Sequence, residues 1–274
     1  MPETFPPLLL LAGALVATGA IAGVIAGFLG VGGGIVIVPI LYFLFTAIGV
    51  DEAVRMHLAV GTSLATFLPT ASVSALGHHR RGAVDRALLK RWGFAIFAGV
   101  VLGASIGGFV KGTILTGAFA TLALVVATYL FFGRKDFRLA DRLPTGLPLQ
   151  AAGALIGGLS AMIGIGGGTM TVPYLNAFAY PMPRAVGTAA AIGLLIGVPG
   201  ATVFAIAGLD AAGLPPYSLG YVSLPAFALI SAGTIVAAPY GVRLAHALSA
   251  SLLRRAFALF LVATAARMYW GLFG

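Results

Sequence analysis

The 274-residue chain has no cysteine, which excludes disulfides, iron–sulfur clusters and thiolate metal sites. Charge is scarce: Asp, Glu, Lys and Arg make up 8% of the residues, against about 25% in an ordinary soluble domain. Long polar runs are missing as well. The longest, GRKDFRLADRLPTG at 133–146, leaves no room for a globular domain. No acidic residue falls deep inside an apolar run: Asp51, Glu52, Asp85, Asp136, Asp141 and Asp210 lie between runs and Glu3 near the start. The histidines, His57, His78, His79 and His246, lack the spacing of a metal site such as HExxH, so no metal or other cofactor is expected. No Ser–His or paired-acid constellation points to an enzyme.

What remains is apolar. Hydrophobic residues make up 60% of the chain, and long apolar runs recur from end to end, as in a polytopic membrane protein. The run from Pro6 to Leu29 is too long for a signal-peptide core and has no basic residues ahead of it, so it reads as a retained first helix. Ten segments follow from the pattern: 6–29, 35–50, 53–76, 87–110, 113–132, 148–165, 169–180, 185–208, 219–242 and 252–273. The predicted fold class is an all-α polytopic membrane protein.

The segments form two similar sets of five, an N-terminal repeat (1–132) and a C-terminal repeat (148–274), joined by a cytoplasmic linker (133–147). Gly32-Gly33-Gly34 matches Gly166-Gly167-Gly168 at an offset of 134, as Pro39 does Pro173 and GASIG (103–107) does AAPYG (237–241). AVGTS (59–63) matches AVGTA (185–189) at an offset of 126. An odd number of crossings per repeat inverts the second relative to the first. The charges fit this. Ten crossings put 13 of the 16 Lys and Arg residues on the side of the 77–91 loop, leaving Arg55, Lys111 and Arg267 opposite. Re-entrant second and seventh segments would give ten against six. The positive-inside rule thus favours ten crossings with both termini outside the cytoplasm. It also explains the net charge of +9 without nucleic acid as a partner.

The glycine triplets break helices that are too short to cross. Ile35–Gly49 would span roughly 22 Å and Thr169–Tyr180 roughly 18 Å, against about 30 Å of hydrocarbon. Loops dipping to the midplane repair the deficit, and irregular backbone survives there only inside protein or beside a cavity. Each loop feeds a helix N-terminus, where free N–H groups favour an anion. The predicted substrate site comprises Gly32, Gly33, Gly34, Gly166, Gly167, Gly168 and Thr169, with Thr62, Ser63 and Thr188 as hydroxyl donors. Scattered glycines such as Gly103, Gly107 and Gly108 are expected to let helices pack closely. His57 and Arg184 are candidates for proton linkage or gating; the alternative is interfacial anchoring, as for Arg55. His78, His79 and His246 are expected at the surface.

The stretches GFLGVGGGIVIVPIL, HLAVGTSLAT, HHRRGAVD and GIGGGTMTVP…AVGTAA resemble the sulfite exporter TauE/SafE family, from about residue 15 to residue 270. The resemblance implies a multi-pass permease of the bacterial or archaeal plasma (inner) membrane. Its implied substrates are sulfite, sulfonates such as sulfoacetate and related sulfur-containing anions. Partners would then be a small anionic substrate and the lipid bilayer, with a homodimer left open. An anion channel, or a carrier of another small organic anion, is the alternative. The second repeat has GTAA where the first has GTSL, so the two halves of the site are not equivalent.

Overall fold

The computed structural model describes residues 5–29, 33–132, 138–244 and 250–273. Glu3, Gly32, Arg134, Lys135, Asp136 and His246 lie outside the described residues. Ten helices occur among the described residues: α1 (Phe5–Leu29), α2 (Gly34–Ala47), α3 (Glu52–Arg80), α4 (Arg86–Phe109), α5 (Gly112–Phe132), α6 (Leu147–Met162), α7 (Gly167–Ala177), α8 (Met182–Ala207), α9 (Leu224–Leu244) and α10 (Ala250–Phe273). Six of them, α1, α3, α4, α5, α8 and α10, are long and apolar enough to cross a membrane. Large apolar side chains cover the outer faces, among them Phe94, Leu102 and Phe109 along α4. That is the surface a lipid solvent selects.

The ninth segment differs from the expectation. Residues from 219 do not start a helix. A two-residue hairpin, β1 (Ser218–Leu219) and β2 (Val222–Ser223), precedes α9. Leu219, Tyr221 and Val222 made this stretch look continuous with the membrane segment. Gly220, at φ +51, turns the hairpin instead, and it does so against α8. A Cβ there would enter the space of the Ala205 carbonyl.

Several helix pairings have a counterpart between the first five and the last five helices. α1 packs along α9 and α4 along α6; α2 packs on α3 and α7 on α8; α3 touches α9 and α4 touches α8. α3 also packs on α8 and α5 on α10. Small residues bring the backbones together. Gly99 and Gly103 of α4 face the backbone of Ala154 and Gly158 in α6, while Gly19 and Gly23 of α1 face Ile230 and Thr234 in α9. Gly103, Gly107 and Gly108 are all close-packed, against Gly158, Met162 and Ala207, as expected of small residues in membrane helices.

Candidate functional site

The two glycine-rich helix starts meet in the middle of the bundle. α6 runs parallel to α4. Trp92 donates its indole N–H to the Leu149 carbonyl at 2.7 Å and Gln150 its amide to the Arg91 carbonyl at 2.8 Å. Further along, Gly103 meets Gly158 and Gly107 meets Met162, so α6 ends level with the last turns of α4. The chain then turns back at Ile163–Gly166. Gly164 sits at φ +72, a left-handed conformation glycine adopts without steric cost. It is also closely packed, since a Cβ would lie 2.9 Å from Val38 Cγ2 and 3.0 Å from Val60 Cα. The break in this half is therefore upstream of the triplet, and Gly167 and Gly168 are helical. Gly167 is glycine because α8 is close: a Cβ there would lie 2.9 Å from Ile192 Cγ2.

α7 starts beside Gly193, near the middle of α8, and leads to Tyr180, whose hydroxyl donates to the Asp85 carboxylate at the start of α4. α2 leads the other way. Its first residue, Gly34, packs against Phe67, midway along α3, and against the Gly164 carbonyl, and its far end runs through Val50 into the start of α3. Their 14 and 11 residues span about 21 Å and 16 Å at 1.5 Å per residue. Each is a half-length helix that begins at the centre, and the two point in opposite directions.

A cavity of about 60 Å³, counted as space open to the centre of a water molecule, lies where they begin. At roughly 10–15 Å³ of such space per water, it has room for an ion of a few heavy atoms. Gly33 and Gly166, Gly167 and Gly168 line it from the two halves, and Phe67, Thr70, Ser74 and His78 line it from α3. Among the described residues no Lys or Arg lines it. The first N–H groups of α7 have no acceptor within their own helix, which leaves a partial positive charge facing the cavity. Gly32, named with this site from the sequence, is outside the described residues. Gly34 is packed beneath Phe67, and Thr169 is buried with its N–H bonded to the Gly166 carbonyl at 3.1 Å.

Thr62 and Thr188 stand elsewhere. Neither lines the cavity. Each is fully buried and accepts a backbone N–H from the opposite half. Ser223, just ahead of α9, donates to Thr62 Oγ1 at 2.9 Å; Asp85, just ahead of α4, donates to Thr188 Oγ1 at 3.0 Å. The preceding glycine of each AVGT motif makes room for the same loop. A Cβ on Gly187 would lie 2.5 Å from the Ala83 carbonyl oxygen, and one on Gly61 closer still to that of Tyr221. AVGT is thus a clamp: glycine admits a loop backbone and threonine holds the residue that starts the next helix. Ser63 is used differently again. Its Oγ donates to the Gly164 carbonyl at 2.9 Å and pins the α6–α7 turn. Ala189 holds the matching place in the second half and has no hydroxyl, so the inequivalence visible in the sequence is structural.

The charged candidates lie off the cavity. His57 is buried; its Nε2 pairs with the Val110 carbonyl at 2.8 Å and its ring stacks on Tyr221. Arg55 donates to the Val50 carbonyl at 2.8 Å and lies over the Tyr42 ring, as an anchor would. Arg184 is exposed and adds its charge near Asp85. Asp85 forms the hub at this end. Its Oδ1 accepts the Leu88 N–H at 2.9 Å as the cap of α4, and Oδ2 accepts from Tyr180. Burial pushes the Tyr180 phenol up, and the hydrogen bond to Asp85 adds to this. Reading the residue pattern missed Asp85, Tyr180 and the Thr70–Ser74–His78 stripe. The stripe was findable: three polar residues at intervals of four along α3 share one face. His78 lines the cavity and is only partly exposed, which corrects its expected surface position.

Comparison with known proteins agrees in outline. The family described as "Sulfite exporter TauE/SafE" matches residues 15–268. A protein of Haemophilus influenzae named "Probable membrane transporter protein" is 35% identical over 251 residues, covering 92% of this chain and 95% of its own. A protein of the same description from Methanocaldococcus jannaschii is 27% identical, with 90% and 91% covered. One from Bacillus subtilis is 28% identical, with 71% and 78% covered. No solved structure matches the chain.

Proposed function

The chain belongs to the sulfite exporter TauE/SafE family of membrane transporters, and from that premise we propose that it carries small sulfur-containing oxyanions, sulfite or sulfonates such as sulfoacetate, by alternating access. The observation that carries the reading is the meeting of two half-length helices, one from each repeat, at one small cavity with no Lys or Arg among the described residues of its lining. Helix N-termini supply N–H donors and a partial positive charge to an oxyanion. Glycines keep side chains out of its way. A site of dipoles rather than fixed cations suits an anion that must be released again on the far side.

The same geometry supports an inverted repeat, residues 1–132 against 148–274 with 133–147 as linker. The paired packing, the two AVGT clamps and the opposed half-helices each relate an element to its counterpart. On this reading α2 and α7 each complete half a crossing, the chain crosses ten times, and the face bearing Arg80, Arg81, Arg86, Lys90 and Arg91 is cytoplasmic. The cell membrane is the proposed location.

The test is a thermal-stabilisation screen on purified protein with sulfite, sulfoacetate, thiosulfate, sulfate and acetate. A true substrate at a hundred times its Kd should stabilise the protein by about 2.7 kcal/mol. Sulfite or a sulfonate should stand out from acetate. If none does, the anion class is wrong.

A further inference from the structure

The polar wall of the cavity belongs to one helix. Thr70, Ser74 and His78 of α3 line it in succession and, at four-residue intervals, climb one face over about 12 Å. They connect the glycine-lined end at the centre with the Arg80 end of α3. Leu76, on the opposite face, is exposed. Thr70 donates its hydroxyl proton to the Thr66 carbonyl at 2.8 Å. Ser74 and His78 make no side-chain hydrogen bond among the described residues, although both are partly buried. Both line the cavity and neither is sealed from water, so their polar atoms stay open to whatever occupies it. A hydroxyl and an imidazole each offer a donor that an oxyanion can accept from.

We propose that Ser74 and His78 form a second anion station, between the central glycine site and the basic face, which a sulfur oxyanion occupies on its way in or out. The inference rests on the anion-transport reading and adds to it the residues that hold the ion at the mouth. Arg81, three residues beyond His78, acts on it electrostatically and extends the positive field outward. The station lies in line with the central site, so an ion moving between them along the α3 stripe passes Thr70, Ser74 and His78 in turn.

The cysteine-free chain allows a direct test. Ser74→Cys, His78→Cys and Leu76→Cys proteins are reconstituted and exposed to a charged, membrane-impermeant thiosulfonate reagent on the side of the basic loop. Sulfoacetate serves as the competing anion, because sulfite itself consumes the reagent. The proposal expects reaction at positions 74 and 78, slowed by sulfoacetate, and none at 76. Ser74→Ala and His78→Leu should raise the half-saturating anion concentration about tenfold, the loss of one hydrogen bond to a charged group. His78→Gln, which keeps an N–H donor, should recover most of it. A parent protein that transports sulfoacetate while labelling at 74 and 78 ignores that anion overturns the station alone. A parent protein that neither transports nor is stabilised by any sulfur oxyanion overturns the wider reading, and the station with it. Cysteine protection reports occupancy directly, so an inactive His78→Leu protein does not blunt the result.

Discussion

Thr62→Val and Thr188→Val should destabilise this protein without changing which anion it binds or how tightly. Valine keeps the shape of threonine and removes the oxygen. The N–H of Ser223 then loses its 2.9 Å acceptor and that of Asp85 its 3.0 Å acceptor. A buried donor left unsatisfied costs about 1–3 kcal/mol. The two sites are not equally dry. Ser223 and Thr62 are both buried, whereas Asp85 is partly exposed, and water can reach its N–H once the threonine oxygen is gone. Thr62→Val should therefore fall near 3 kcal/mol and Thr188→Val near 1 kcal/mol on that scale. Thr62→Ser and Thr188→Ser keep the oxygen and should recover most of the loss. Thermal unfolding in detergent reads the order, and calorimetry with the best anion reads the affinity. The reasoning is refuted if both valine variants unfold with the parent while their anion affinity drops tenfold. That outcome would return the hydroxyls to the anion.

Two further outcomes follow from the same geometry. Gly164→Ala should severely impair folding, because the new Cβ meets Val38 and Val60 at a φ of +72; yield and monodispersity after solubilisation measure this, and a well-behaved variant would mean the turn is not held as described. Asp85 is predicted to matter at acid pH: burial would raise its carboxyl, but the Tyr180 hydroxyl, the Leu88 and Ala87 N–H groups and the Arg184 charge outweigh burial and hold it below the ordinary range. A depressed folded-state value stabilises above the unfolded pKa of about 3.9, and the effect is lost as pH falls through the depressed value. Asp85→Asn should lower stability at neutral pH and flatten its decline below about pH 4, read as unfolding temperature against pH.

The helices were legible because membrane solvent leaves a long-range mark. A segment in lipid must be apolar over its whole length and must satisfy its own backbone, and hydropathy reports both. Hence α1, α3, α4, α5, α8 and α10 lie within a few residues of their expected spans. The β1–β2 hairpin was not legible on that ground. Tyr221 and Val222 are buried against α3 and α8 rather than lipid, and hydropathy does not tell the two environments apart. Gly220 and the Pro215-Pro216 pair ahead of it were the available signal.

Sequence alone determined the class of protein and displayed the paired glycine and AVGT motifs, because composition and repetition are properties of the chain. It could not assign the motifs their jobs. A glycine that admits a backbone and a glycine that lines a cavity read the same, and so do a threonine that holds a helix cap and one that donates to a ligand. The difference is which atom lies opposite, and that atom comes from residues 101 to 161 positions away: Gly164 for Ser63, Asp85 for Thr188, Ser223 for Thr62. Tertiary structure decided those partners. It turned the Thr62 and Thr188 oxygens onto backbone, placed Gly33 and Gly166–168 around one cavity, and brought His78 to its lining.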